Sequence, residues 1–161
     1  MRALILLGHG SRVPEAAREM EILVGMLREI TGIPLVRVCF LSRLGPHLPE
    51  TLAACAADGA REIIVIPYFL HTGLHILVDI PRELQKLAAD YPGVKIVYGR
   101  HLGCDPVFAD ILARRVQESL TLPDVREIRV PDRSRYPVPP GQGEFVEVLP
   151  DFCACGGIEQ R

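Results

Sequence analysis

Residues 2–32, RALILLGHGSRVPEAAREMEILVGMLREITG, decide the fold. The run Ala3-Leu4-Ile5-Leu6-Leu7 is apolar without alternation. A strand with one face in water alternates apolar and polar residues, so an unbroken run is a strand covered on both faces. Pro14 stands where a first helical turn favours proline. Beyond it Ala16, Met20, Leu23, Leu27 and Ile30 recur at steps of four, three, four and three, which is one face of an α-helix. Gly32 supplies the stop. The stretch therefore reads strand, loop, helix, with Gly8-His9-Gly10-Ser11-Arg12 placed at the carboxyl end of the strand.

The same unit recurs along the chain. A second strand is predicted over Leu35 to Phe40, with its helix from Leu48 to Ala57 and Gly59 behind it. A third strand runs from Glu62 to Ile66 and stops at Pro67. Its helix starts between Gly73 and Ile76 and continues to Asp90, with a kink or restart at Pro81, because proline removes a helical hydrogen bond. A fourth strand covers Val94 to Tyr98, and a last helix runs from Pro106 to Leu120 with Phe108, Leu112, Val116 and Leu120 on one face. Apolar strands alternating with helices predict an α/β fold: a small open parallel sheet of about four strands flanked by helices.

After Leu122 the texture changes. Pro131, Pro137, Pro139, Pro140, Gly141 and Gly143 mark a linker or irregular arm. Glu144 to Leu149 has room for one short edge strand. The expected division is a domain over residues 1–122 and an arm over 123–161 that ends in Cys153-Ala154-Cys155.

Bulk properties exclude several classes. The chain has 161 residues, 48% of them hydrophobic, and a formal net charge of −2. That suits one compact domain and leaves no basic footprint for nucleic acid. No apolar stretch approaches the roughly 20 residues that span a bilayer. The amino terminus enters a strand directly, with no cleavage signal, so a cytoplasmic location is expected. Five cysteines without framework spacing, among them Cys39, Cys55 and Cys104, read as reduced thiols.

The chemistry lies where strands end. In an open parallel sheet the loops at the carboxyl ends form the ligand crevice. His9 follows the first strand and His75 the third, in PYFLHTGLH. Imidazole is a common ligand for divalent transition metals and titrates near neutrality. Glycines on both sides of His9 permit a tight turn, and the helix that follows offers its positive end to an anion. A plain strand-end turn fits the same residues. The Gly-His-Gly order argues against a phosphohistidine phosphatase, and the glycine pattern misses the dinucleotide fingerprint. His71 and His75 would share a face if their segment were helical; the alternative leaves His71 in solvent and only His75 at work. His47, in Gly45-Pro46-His47, is a third ligand or an ordinary helix-start residue. Asp79 either orients His75 as a carboxylate acceptor or caps the helix at Pro81. His101 rims the crevice. Arg12, Arg43 and Arg100 all fall in loops after strands, where a polyanionic ligand would want them. Cys153 and Cys155 supply two thiolates; two tails meeting across a dimer would hold an iron–sulfur or zinc site, and otherwise form a labile tail.

Together LLGHGSR, PYFLHTGLHILVDIP and His101-Leu102-Gly103 with Asp105-Pro106 resemble the short CbiX family, the class II cobalt or iron chelatases of the sirohydrochlorin branch of tetrapyrrole synthesis. The resemblance covers about residues 1–120. It implies insertion of divalent cobalt or iron into sirohydrochlorin without ATP, for cobalamin or sirohaem, with nickel as a variant. It implies that His9 and His75 are the metal-binding and catalytic histidines. Arg12, Arg43 and Arg100, with Ser11, would meet the carboxylates of the macrocycle, and Leu41, Phe69 and Leu70 its apolar face. His47, His71 and Asp79 would be accessory. The family is a homodimer or a fused double domain, so a symmetric homodimer is implied. One position departs: Ser42 follows Phe40-Leu41 where the family usually carries a glutamate. That departure and the Cys-x-Cys tail motivate two rivals, a non-catalytic metal or tetrapyrrole carrier and a redox-sensing protein.

Overall fold

The computed structural model describes residues 1–137. Its order is β1 (Arg2–Gly8), α1 (Pro14–Thr31), β2 (Leu35–Phe40), α2 (Leu48–Ala57), β3 (Glu62–Pro67), a π-turn (His75–Asp79), α3 (Ile80–Ala89), β4 (Lys95–Tyr98) and α4 (Val107–Ser119). The four strands form one parallel sheet in the order β2-β1-β3-β4. This is the α/β architecture expected from the apolar strand runs. Beyond α4 the described residues form two short 3-10 turns, Val125–Glu127 and Arg133–Arg135. The possible strand over residues 144–149 lies outside the described residues.

The two faces of the sheet are packed unequally. On one, Ala3, Ile5, Leu7, Ile63 and Val65 meet Leu48, Leu52 and Cys55 of α2 and Ile80 and Leu84 of α3. On the other, Leu4, Leu6, Val36, Val38 and Phe40 meet Met20 and Val24 of α1. Each side chain fully buried in this way contributes about 1.5–3 kcal/mol. β1 is central and buried from Ala3 to Gly8, which is why its sequence shows no alternation. Cys39 and Cys55 are buried, and burial pushes both thiols up, so they stay protonated and inert.

Two apolar helix faces are covered unequally. On α1 the buried residues are Met20 and Val24, while Ile30, at the end of the same apolar stripe, is 80% exposed. The Phe108, Leu112, Val116 and Leu120 face of α4 is real in its spacing, yet no residue of α4 is buried. Periodicity reports which face is apolar, not whether a partner covers it.

Proline explains the irregular third helix. A proline inside an α-helix lacks its N–H and clashes with the carbonyl four residues earlier. Pro81 is relieved of both because it sits in the first turn of α3, while the preceding turn widens to π geometry, with the Ile80 N–H donating to the His75 carbonyl. π-turns of this kind are rare and gather at functional sites.

Candidate metal centre at the carboxyl end of the sheet

Three strand ends are tied together around β1. The Leu41 N–H donates to the Gly8 carbonyl (3.0 Å), the Ser42 N–H to the His9 carbonyl (3.0 Å), and the Tyr68 N–H to the Leu7 carbonyl (2.7 Å). The Ser42 hydroxyl adds a second donor to the His9 carbonyl at 3.1 Å. Gly8 lets the loop lie directly on the core, since a Cβ there would fall 2.6 Å from Met20 Sδ. His9 thus leaves the sheet on a backbone fixed from two sides, with an exposed imidazole.

His9 and His75 face one another. Their ring centroids are 6.0 Å apart with planes at 69°, and His9 also meets Phe69 edge-on at 6.3 Å. A metal–imidazole bond of about 2.0–2.1 Å places a ring centroid roughly 3.2 Å from the ion, so two rings on one ion can be up to about 6.4 Å apart. The observed separation falls inside that reach. Among the described residues no group of three or more histidine, cysteine, aspartate or glutamate side chains is placed to hold a metal. Two imidazoles at this separation have the reach to share one ion, with the other coordination positions open to water or a ligand.

Asp79 stands behind His75. Its Oδ2 lies 3.3 Å from His75 Nδ1, a nitrogen shielded from solvent. Its side chain makes no cap hydrogen bond to α3, which leaves the carboxylate beside the His75 ring. A carboxylate that accepts from one ring nitrogen of a metal-binding histidine sets its tautomer and leaves the other nitrogen for the metal, and Asp79 lies within reach of that arrangement. Burial pushes the His75 imidazole below its ordinary value of 6.5; Asp79 opposes that shift and His9 adds to it. Tyr98 completes the support, donating from its hydroxyl to the Ile76 carbonyl at 2.9 Å. Burial pushes its phenol up to about 12, which keeps the donor protonated. Sequence reading missed this residue because a tyrosine at a strand end carries no local signal of its partner.

An asparagine at 79 tests the arrangement. Carboxylates behind metal-binding histidines contribute about 10–100-fold in affinity, and Asp79→Asn is expected to weaken cobalt(II) binding by that order in calorimetric titration. His75 is expected to titrate below 6.5 in proton NMR, and lower still in Asp79→Asn, where the opposing charge is gone. The sign for stability follows. The unfolded chain binds the His75 proton more tightly, so this contribution is present above pH 6.5 and is lost as pH falls through the folded value.

The remaining candidates separate. His47 is the helix-start residue at α2: its Nδ1 lies 3.2 Å from the Phe40 carbonyl, and its N–H donates to Glu50 Oε1 at 2.6 Å. His71 does not share a helical face with His75, because helical structure starts only at Leu74 and His71 lies exposed in the preceding bend. His101 rims the crevice, its Nε2 3.1 Å from Thr72 Oγ1. Ser11 Oγ accepts from the Val13 N–H at 3.0 Å, which turns the chain into α1. Phe69 is partly buried and Leu70 half exposed, but Leu41 is only 8% exposed and belongs to the core, so it offers no surface to a ligand. Arg12 and Arg43 are partly buried and Arg100 is exposed. Arg43 has φ 70°, a left-handed conformation uncommon outside glycine and enriched at functional sites. Cys153 and Cys155 lie outside the described residues. A cleft of about 460 Å3 runs elsewhere, along β2 between α1 and α2. Its arginines are engaged structurally, Arg28 with the Val36 carbonyl and Arg37 with Asp58.

The CbiX family model matches residues 3–119. The chain belongs to the CbiX family. Its relatives within that family are chelatases by name. It is 35% identical over 119 residues to the sirohydrochlorin ferrochelatase of Priestia megaterium, covering 74% of this chain and 45% of that protein. It is 31% identical to the sirohydrochlorin cobaltochelatase of Methanopyrus kandleri, covering 74% of this chain and 98% of that protein. Among solved structures, it matches the sirohydrochlorin chelatase SirB of Bacillus subtilis subspecies spizizenii in complex with cobalt. That match has a TM-score of 0.68 at 31% identity and covers 73% of this chain and 50% of SirB. This CbiX chain thus spans about half the length of the bacillar relatives it matches. Among its described residues no helix is long and apolar enough to cross a membrane.

Proposed function

We propose that this chain inserts divalent cobalt or iron into sirohydrochlorin without ATP, in the cytoplasm, as a symmetric dimer whose catalytic domain is residues 1–122. The observation that carries the reading is the His9–His75 pair, 6.0 Å apart at the carboxyl end of a parallel sheet. Membership of a family whose named relatives are sirohydrochlorin chelatases supports it.

The chemistry suits the pair. A chelatase must hold its metal well enough to capture it and loosely enough to release it to the macrocycle. Two imidazoles with exchangeable waters meet both needs better than a closed four-ligand site. The macrocycle must also lose two pyrrole protons. A neutral imidazole is a competent base near pH 7, and the depressed basicity of His75 keeps it neutral there. Arg12, Arg43 and Arg100, on the loops after β1, β2 and β4, supply cations for the carboxylates of the substrate. Phe69 and Leu70 supply apolar surface.

The test is an anaerobic absorbance assay with sirohydrochlorin and cobalt(II), then iron(II) and nickel(II). The expected result is insertion well above the spontaneous rate, with the relative rates ranking the metals. A carrier reading draws on Ser42, whose hydroxyl is directed to the His9 carbonyl where the family usually places an acid. Stoichiometric binding of metal or tetrapyrrole without acceleration would establish it and overturn the chelatase reading.

A further inference from the structure

Pro81 leaves one backbone acceptor without a helical donor, and that acceptor lies one residue from His75. In an α-helix the carbonyl of residue i takes the N–H of residue i+4; in a π-turn it takes that of i+5. Over His75–Asp79 the wider pattern holds, and the Ile80 N–H donates to the His75 carbonyl. The next carbonyl in line belongs to Ile76. Its α-helical donor, the Ile80 N–H, is already committed to His75. Its π donor would be residue 81, a proline with no N–H. Ile76 is only 6% exposed, so water is badly placed to serve its carbonyl. A buried acceptor without a partner is costly, and native folds supply one.

The partner comes from another strand. Tyr98 is the last residue of β4. It stands beside Val65 in register and packs against the same core as α3. Its hydroxyl donates to the Ile76 carbonyl at 2.9 Å. The phenol fills the place of the N–H that Pro81 lacks.

The competing register shows what this bond controls. If the Ile80 N–H returned to the Ile76 carbonyl, the turn would be α-helical and Tyr98 would not be needed. The Pro81 ring would then press on the Leu77 carbonyl, four residues earlier. Leu77 is exposed, so the helix has room to bend there. One register is hindered by the proline ring and the other depends on the Tyr98 hydroxyl. Ile80 and Leu84, both buried, hold α3 to the sheet. A change of register ahead of that anchor turns His75 about the helix axis by about 100°, the angle of one residue. Its imidazole would then leave its place 6.0 Å from the His9 ring.

We infer that Tyr98 is a positioning residue for His75: its hydroxyl replaces the missing proline N–H, holds the π register, and so keeps the two imidazoles within reach of one ion. It acts through the Ile76 backbone and not by contact with the metal. The purpose of this role rests on the chelatase reading; the register itself does not.

Tyr98→Phe removes the hydroxyl and keeps the ring that packs on the core, so the circular dichroism spectrum is expected to stay that of the wild type. Proton NMR of the metal-free protein reads the register. A nuclear Overhauser cross-peak between the His9 and His75 rings is expected in the wild type and is expected to vanish in Tyr98→Phe. Cobalt(II) affinity, titrated by calorimetry, is expected to fall about tenfold, the lower end of what partners behind metal-binding histidines contribute. The same substitution in a His75→Ala background is expected to cost nothing further, because its effect passes through His75. A cross-peak absent from the wild type, or retained at full strength in Tyr98→Phe, overturns the inference. So does an equal loss of affinity with and without His75, since Tyr98 would then support the fold in general. Insertion assays on the same proteins separate the two readings. A cross-peak that depends on Tyr98, in a protein that inserts no metal, sinks only the chelatase; insertion by a wild type whose cross-peak survives Tyr98→Phe sinks only the register role.

Discussion

His75→Ala and His9→Ala are each expected to lower catalysed cobalt(II) insertion at least about 100-fold, because removing a ligand should cost more than the about 10–100-fold lost with a residue behind one. Both variants are expected to keep the wild-type circular dichroism spectrum and a melting temperature within a few degrees of it. Neither imidazole belongs to the two apolar clusters that hold the sheet. The two variants should nonetheless differ. His9 is exposed, so free imidazole at millimolar concentration has access to the space it leaves and is expected to restore part of the activity. His75 is partly buried on the π-turn, with Nδ1 shielded from solvent beside Asp79, and rescue there should be weaker. Turnover at the wild-type rate in either variant would refute the two-imidazole site, and turnover in both would remove the chelatase mechanism with it.

Features with local causes were legible in the sequence, and those set by contacts between distant segments were not. The apolar runs of β1 and β3 and the helical step from Ala16 to Leu27 are properties of neighbouring residues, so fold class and strand positions could be read from them. Pro81 announced an irregularity, although proline alone does not say that the relief takes the form of a π-turn. His9 and His75 were legible as strand-end residues, because a parallel sheet gathers the carboxyl ends of its strands. Their separation was not, since it depends on how far the β3 loop carries His75 toward β1. The possible His71–His75 face failed because the helix begins at Leu74, after the first histidine. Leu41 failed as a ligand surface because one residue of register at the end of β2 decides between core and crevice. The exposed stripe of α4 shows the same limit: an apolar face states a need for burial without naming the partner.

The glycine at position 10 makes the most demanding prediction, because its role rests on one contact between two loops. Its φ is 102°, and a Cβ built on it would lie 1.8 Å from the Ser42 carbonyl oxygen and 2.8 Å from the carbonyl carbon. Those atoms are backbone, so no rotamer change relieves the clash. The β1 and β2 loops must part, and parting them breaks the two hydrogen bonds from Ser42 to the His9 carbonyl. Strained backbone costs about 1–3 kcal/mol, and each lost hydrogen bond about 1 kcal/mol. Gly10→Ala is therefore expected to destabilise the protein by about 3–5 kcal/mol, a fall of roughly 6–20 °C in Tm for a domain of this size. Insertion should drop by at least about tenfold, because His9 moves with the loop. Gly32→Ala is the control. That residue also has positive φ, 66°, but a Cβ there meets nothing within 4 Å, so only the backbone preference is lost, about 1 kcal/mol, with insertion unchanged. Equal losses in the two variants would show that the left-handed backbone alone sets the cost. A larger loss at Gly10, accompanied by the loss of insertion, would show that close approach of the Ser42 carbonyl is what holds His9 toward His75.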